Sequence, residues 1–274
     1  FDTFILQSGV PLVGFELSCK AGSPPSLAIT QQRYAPTGSQ IDPKRTWQIP
    51  ICVKWGAGAA TGRDCATLTT ETGTLALSAK TCPDWVNPNA ESAGYYRMAP
   101  KGKLLDSLLA KAPKALTLPE RIGLIGDINA LVSNGGAQMG VALGLVEALS
   151  KDKSRHLVDA SIGLISGIDD MVPDDLRANY QRLIKKLYRT RAVELGFVSK
   201  PGEDDNLKQM RPQVIELVAE TGGDRPLIDE ATDFATALLC ADAVGAMKHA
   251  NEATLDYLKT RKQFGVPIAS FQVL

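Results

Sequence analysis

The chain has 274 residues, 44% of them apolar and 22% charged, and its thirty Lys and Arg are balanced by thirty Asp and Glu. That length and apolar share suffice for two domains with buried cores and exclude a disordered chain. A net charge of zero provides no global field to draw nucleic acid or an anionic membrane, so neither partner is expected.

The first hundred residues alternate as strands do. Val13, Phe15, Leu17 and Cys19 share one face, and Trp47, Ile49, Ile51, Val53 and Trp55 share another. Leu27 with Ile29 and Leu75 with Leu77 mark two weaker strands. Turn signals separate them at 22–25, 36–39 and 56–62. Several short strands with one apolar face each predict a β-sandwich. Pro50 marks the third strand as an edge or as bulged. Pro83, Pro88 and the asparagines around Pro88 predict an extended, turn-rich approach to a closing strand over Gly94, Tyr95, Tyr96 and Arg97.

Four of the five cysteines precede residue 83. Cys65 and Cys82 flank two short runs that read as strands folding back through Thr72-Gly73, which would bring their sulfurs together at a hairpin base. A Cys65–Cys82 disulfide is one reading and two buried thiols the other. The bridge would imply an oxidising, extracytoplasmic or periplasmic setting. Cys240 reads as a free, buried thiol on a helical stripe with Leu239, Val244 and Met247.

From Lys101 the period changes to 3.6. Thr117-Leu118-Pro119-Glu120 is a capping box with Pro in the first turn, and Asn134-Gly135-Gly136 is a stop. Further helices are predicted over about 138–149, 154–166 and 173–195, and another after Pro201-Gly202. Their short connections suggest stacked, solenoid-like pairs. From Ala231 to Lys259 no proline interrupts a last long helix. The expected fold class is therefore mixed: a β-sandwich module over residues 1–100, then an α-helical, solenoid-like domain over 101–224, then a helical tail over 225–274.

Three motifs in order resemble one family. Gln31-Gln32-Arg33-Tyr34, Trp47-Gln48-Ile49-Pro50, and Trp85 followed by Asn87, Asn89 and Gly94-Tyr95-Tyr96-Arg97 are similar to the module that joins the catalytic and helical domains of aminopeptidase N-like (gluzincin) zinc metallopeptidases. Arg211-Pro212-Gln213-Val214 and Gly222-Gly223-Asp224 resemble the helical C-terminal domain of the same family. This resemblance implies the non-catalytic C-terminal portion of an enzyme that removes N-terminal residues from peptides, with zinc and the peptide substrate handled by an intact parent. The start at Phe1, without a signal-peptide pattern, fits an internal piece of a longer chain. Tyr257 to Gly265, followed by Pro267-Ile268 and Ser270-Phe271-Gln272, resembles instead the helical domain of acyl-CoA dehydrogenases. There the matching positions Arg261, Gln263, Phe264 and Gln272 would contact FAD. A flavoprotein fragment is thus one alternative, and a helical solenoid that grips a peptide or protein is another.

Chemistry of the chain's own is hard to find. No H-E-x-x-H and no G-x-S-x-G occurs, and His156 and His249 stand far apart, so neither a metal site nor catalytic residues are expected. Asp169-Asp170, Asp174-Asp175 and Asp204-Asp205 each precede or open a predicted helix, where carboxylates cap amides. Arg177, Arg182, Lys185, Lys186, Arg189 and Arg191 read as one solvated face of an amphipathic helix, with Arg182 or Arg189 a candidate to hold a peptide end. The tail helix is expected to bury its apolar stripe by docking on the preceding helices or by self-association, and to leave a hydrophobic patch if it does neither.

Overall fold

The computed structural model describes residues 2–271, the side chain of Ala112 apart. Two compact units divide between Val172 and Pro173. This division coincides neither with the change from strand to helix near residue 100 nor with the change of sequence character near residue 225.

The first unit opens with a one-turn helix, α1 (Asp2–Ile5), and seven strands follow: β1 (Pro11–Ser18), β2 (Ser26–Arg33), β3 (Ile49–Ala57), β4 (Ala60–Leu68), β5 (Thr72–Ala76), β6 (Trp85–Asn87) and β7 (Arg97–Pro100). They form a sheet of order β5-β2-β1-β7 and a smaller one of order β4-β3-β6. All pairs are antiparallel except β1 with β7. The alternation read from sequence is what buries: Val13, Phe15, Leu27, Ile29, Ile49, Ile51 and Val53 are all at most 3% exposed. Gln31 is a buried polar residue within this core. Its side-chain amide donates to the Trp47 and Thr70 carbonyls at 2.9 and 2.8 Å and accepts from the Trp47 amide at 2.8 Å. The two motif segments are therefore tied to each other by a satisfied buried group.

Pro50 is accommodated in a way the sequence only half indicates. β3 is the central strand of its sheet, but β6 pairs only with Lys54, Trp55 and Gly56. The end that carries Pro50 has β4 on one side alone, so the missing amide costs no ladder bond there.

The expected Cys65–Cys82 disulfide is incorrect. Cys65 faces Cys52 directly across the β3–β4 ladder and bonds to it, while Cys82 bonds to Cys19. The cause is the supposed hairpin. Thr72-Gly73 is not a turn but the start of β5, which crosses to the other sheet and pairs with β2, so Cys65 and Cys82 are carried apart. The Cys19–Cys82 bridge spans a sequence separation of 63 and Cys52–Cys65 one of 13. Loop-closure entropy then assigns about 4 kcal/mol to the former and about 3 to the latter. Paired Cys→Ser replacement is expected to lower the denaturant midpoint more for Cys19/Cys82 than for Cys52/Cys65, with disulfide-mapped peptides confirming both pairings.

Four helices complete the unit: α2 (Lys103–Ala115), α3 (Leu118–Ser133), α4 (Met139–Ser150) and α5 (Arg155–Ser166). Helices α3, α4 and α5 touch one another through apolar faces that include Leu124, Ile128, Val146, Leu157 and Ile165. The stop at Asn134 uses Gly135 at φ 75°, a left-handed conformation that other residues enter only at a cost.

The second unit contains α6 (Asp174–Leu195), α7 (Asp205–Glu216) with a π-helical turn over Leu217–Thr221, and α8 (Arg225–Thr260). A minimal hairpin of β8 (Lys262–Gln263) and β9 (Val266–Pro267) follows. Helix α8 begins six residues before the expected Ala231, because the Asp224 carboxylate accepts from the Leu227 amide and Pro226 suits the first turn. Cys240 is exposed on α8, not buried as its apolar neighbours suggest, because Leu239, Val244 and Met247 are themselves exposed.

Candidate functional site

The sequence concentrates its signals in residues 85–98, and the structure builds a buried polar hub there, within the first unit. Trp85 of β6 lies over Gly56 of β3, so closely that a Cβ at Gly56 would stand 2.3 Å from its indole nitrogen. Asn87 and Asn89 are both buried. The Asn89 side chain accepts from the Gly94 amide at 2.8 Å and donates to the Gly94 carbonyl at 3.0 Å, closing the loop upon itself. Tyr96 donates to the Pro88 carbonyl at 2.6 Å and lies against Phe15. Burial, with the nearby Asp127 charge, holds its phenol well above the usual range. The strand therefore starts later than expected, at Arg97, because Tyr95 and Tyr96 belong to this folded loop.

Between them Glu91 and Ser92 adopt φ of 60° and 52°, a conformation that costs non-glycine residues energy. Two bonds from the start of α3 hold it. The Glu91 amide donates to Glu120 Oε1 at 2.9 Å, and the Ser92 hydroxyl donates to the Pro119 carbonyl at 2.9 Å. Glu120 itself is 1% exposed. Its Oε2 accepts from the Thr117 amide at 2.8 Å, as a capping box requires, and from Lys54 Nζ of β3 at 3.4 Å. Burial alone would raise the pKa of this carboxyl. The Glu91 and Thr117 amides and the Lys54 ammonium outweigh that and hold it below the usual carboxylate value.

Asp127, one turn and more along α3, behaves in the opposite way. It is buried, and Arg97 donates to it at 3.3 Å from a half-exposed position. Desolvation wins over the Arg97 and Met98 contacts, so its pKa is raised to about 6. It lines a cavity of about 250 Å³ together with Asn89, Ser92, Tyr96 and Arg97. A larger, mostly apolar groove of about 390 Å³ runs past Phe4, Pro50, Cys52, Ala93 and Tyr95. Sequence reading missed Asp127, although a carboxylate among Ile125, Ile128 and Leu131 was the available signal.

Because the folded state keeps its Asp127 proton up to about pH 6 and the unfolded state loses it near 3.8, the group favours folding at low pH. That contribution fades as pH rises between those values. About 3 kcal/mol is at stake. Asp127→Asn is expected to remove this loss, so that its stability relative to the parent rises from pH 4 to pH 7 in urea titrations.

The other sequence candidates are used structurally. Arg189 donates to Asp224 at 2.7 Å and so anchors the start of α8, Arg177 stacks over Tyr180 at 5.7 Å, and Arg182 bonds Asn179. Asp204 caps α7 through the Asn206 amide, Asp205 pairs with Lys208, and Asp174-Asp175 lie in the first turn of α6. His156 and His249 are exposed. Arg211 is buried, unlike an ordinary surface arginine. Its guanidinium takes both oxygens of Glu203 at 2.6 and 2.7 Å and also donates to the Leu195 and Gly196 carbonyls and to Ser199. That contact holds the Glu203 carboxyl below the usual range. Arg261, Gln263 and Phe264 are exposed around the β8–β9 hairpin, and Gln272 lies outside the described residues. Among the described residues no group of three or more His, Cys, Asp or Glu is close enough to hold a metal ion.

The sequence signature of the ERAP1-like C-terminal domain matches residues 85–251, beginning on the tryptophan of the hub. The chain belongs to that family. Its relatives agree. It is 27% identical over 215 residues to the puromycin-sensitive aminopeptidase of Caenorhabditis elegans, covering 76% of this chain and 22% of that protein. It is 32% identical over 162 residues to endoplasmic reticulum aminopeptidase 2 of Bos taurus, covering 56% and 16%. Aminopeptidase N of Lactococcus lactis is 23% identical over 230 residues, covering 80% and 25%. The chain thus spans a quarter or less of the length of these relatives. As an ERAP1-like C-terminal domain it corresponds to a C-terminal region of aminopeptidases, in accord with its motif order. The match ends at residue 251, before the Tyr257–Gln272 segment.

Proposed function

We propose that this ERAP1-like chain is the non-catalytic C-terminal portion of an aminopeptidase and that it shapes the chamber in which a peptide substrate is held, while zinc and hydrolysis belong to another part of the parent enzyme. The observation that carries this reading is the match from Trp85 to Asn251, which starts on a rigid polar hub and continues through the helices. A scaffold of this kind acts by positioning. The hub supports it: Asn89, Tyr96 and Glu120 fix the passage from strands to α3 with directional bonds and present no paired nucleophile and base. Two disulfides favour an oxidising, extracytoplasmic compartment.

The test is direct. The purified chain, supplied with zinc, is expected to hydrolyse no aminoacyl-coumarin reporter and to retain no stoichiometric zinc after gel filtration, as read by mass spectrometry. Turnover that survives further purification, or one tightly held zinc per chain, would contradict the proposal.

A further inference from the structure

Two arginines of the first unit converge where no carboxylate meets them. The unit has six arginines, and Arg63, Arg97, Arg121 and Arg155 each pair with an Asp or Glu. Among the described residues Arg33 and Arg45 have no such partner, and neither has Lys44 beside them. Their placement is nonetheless fixed. Both backbone amides donate to the Pro43 carbonyl at 2.9 Å, and both side chains end on the exposed Ser8. Arg33 Nη2 donates to its hydroxyl at 3.4 Å and Arg45 Nη1 to its carbonyl at 3.5 Å. Gln7 holds this segment against the loop by donating to the Thr46 carbonyl at 2.8 Å. Arg33 lies on Gly9, where a Cβ would stand 2.5 Å from its Nε, and that nitrogen is buried without a partner. The two contacts to Ser8 are long, so each guanidinium keeps donors that no protein acceptor uses. Like charges gathered on one residue repel, which an anion between them would reverse.

We propose that Arg33, Arg45 and the Ser8 hydroxyl form a binding site for a phosphate group. Phosphate is favoured over a carboxylate because its oxygens, arranged around a tetrahedral centre, can accept from both guanidinium forks and from the serine at once. The two oxygens of a carboxylate are used up by a single fork. Arg45 also borders an open cavity of about 600 Å³ that Gln32, Lys44, Thr46 and Glu71 line. Lys44 adds a further positive charge at that edge. The Glu71 carboxylate on the same wall disfavours a second anionic group deeper in, so the cavity suits the uncharged part of a phosphomonoester. Inorganic phosphate and a monoester share the chemistry of the Ser8 end. Because the backbones of both arginines are tied to one carbonyl, little ordering is left for the moment of binding.

Nitrogen-15 spectra of the arginine Nε–H groups, taken on the full chain at constant ionic strength, test this. Two resonances are expected to move saturably with inorganic phosphate in the millimolar range and to stay still when chloride replaces it. Tighter binding of glycerol phosphate would assign the site to monoesters, and equal or weaker binding to the free ion. Arg45→Gln should weaken phosphate binding about tenfold, the loss of one charge-assisted contact. Ser8→Ala should weaken it less. Neither side chain is buried, so circular dichroism should not change in either variant. Shifts that follow ionic strength alone, acetate bound as tightly as phosphate, or phosphate binding that survives both variants would each overturn the proposal.

Discussion

Arg211→Ala is expected to destabilise the second unit by about 3 kcal/mol or more, the range for removing one partner from a buried charged network. The arginine is 5% exposed, and its five bonds gather the end of α6, the following loop and α7. Alanine leaves the Leu195 and Gly196 carbonyls without that donor and leaves the Glu203 carboxylate unpaired. Lysine cannot replace the planar two-pronged contact, so Arg211→Lys should recover only part of the loss. Urea titration followed by helical circular dichroism measures it, and a change under about 1 kcal/mol would show that the network is dispensable.

Glu120→Ala is expected to cost about 2 kcal/mol in the first unit, because two part-buried amides and an ammonium lose one shared, buried acceptor. The strained turn at Glu91 and Ser92 should loosen with it, so amide exchange at Glu91 should accelerate sharply while β1 and β2 stay protected. The effect has a pH signature. The folded state holds this carboxyl below its ordinary value, so its stabilisation is present above about pH 4.5 and is lost as pH falls through the lower folded value. Acid sensitivity in that window should shrink in the variant. Unchanged exchange at Glu91 would argue against the hub as a structural joint.

How far the sequence could be read depended on the range of the interaction. The apolar alternation in β1 and β3 and the capping box at Thr117 are local; β1 and the start of α3 were read nearly to the residue, and β3 to within three, since it opens at Ile49 and not before Trp47. The disulfides were not legible, because pairing depends on which sheet β5 joins, a long-range matter that a hairpin reading of residues 65–82 gets wrong. Cys240 failed for a related reason: an apolar stripe states what a helix can bury, not whether anything covers it. The hub was half visible. Its asparagines, aromatics and glutamate stood out as motif residues, but Asp127 acquires its role only when α3 brings it beneath Arg97.

The central claim is that this chain supplies the shaping, non-catalytic portion of an aminopeptidase. It is tested most directly by grafting residues 85–251 into the Lactococcus lactis aminopeptidase N in place of the matching segment and measuring hydrolysis across peptides of increasing length. The account predicts that a short aminoacyl reporter is still cleaved while the preference for peptide length shifts. A graft that folds and yet keeps the host's length profile unchanged would contradict it.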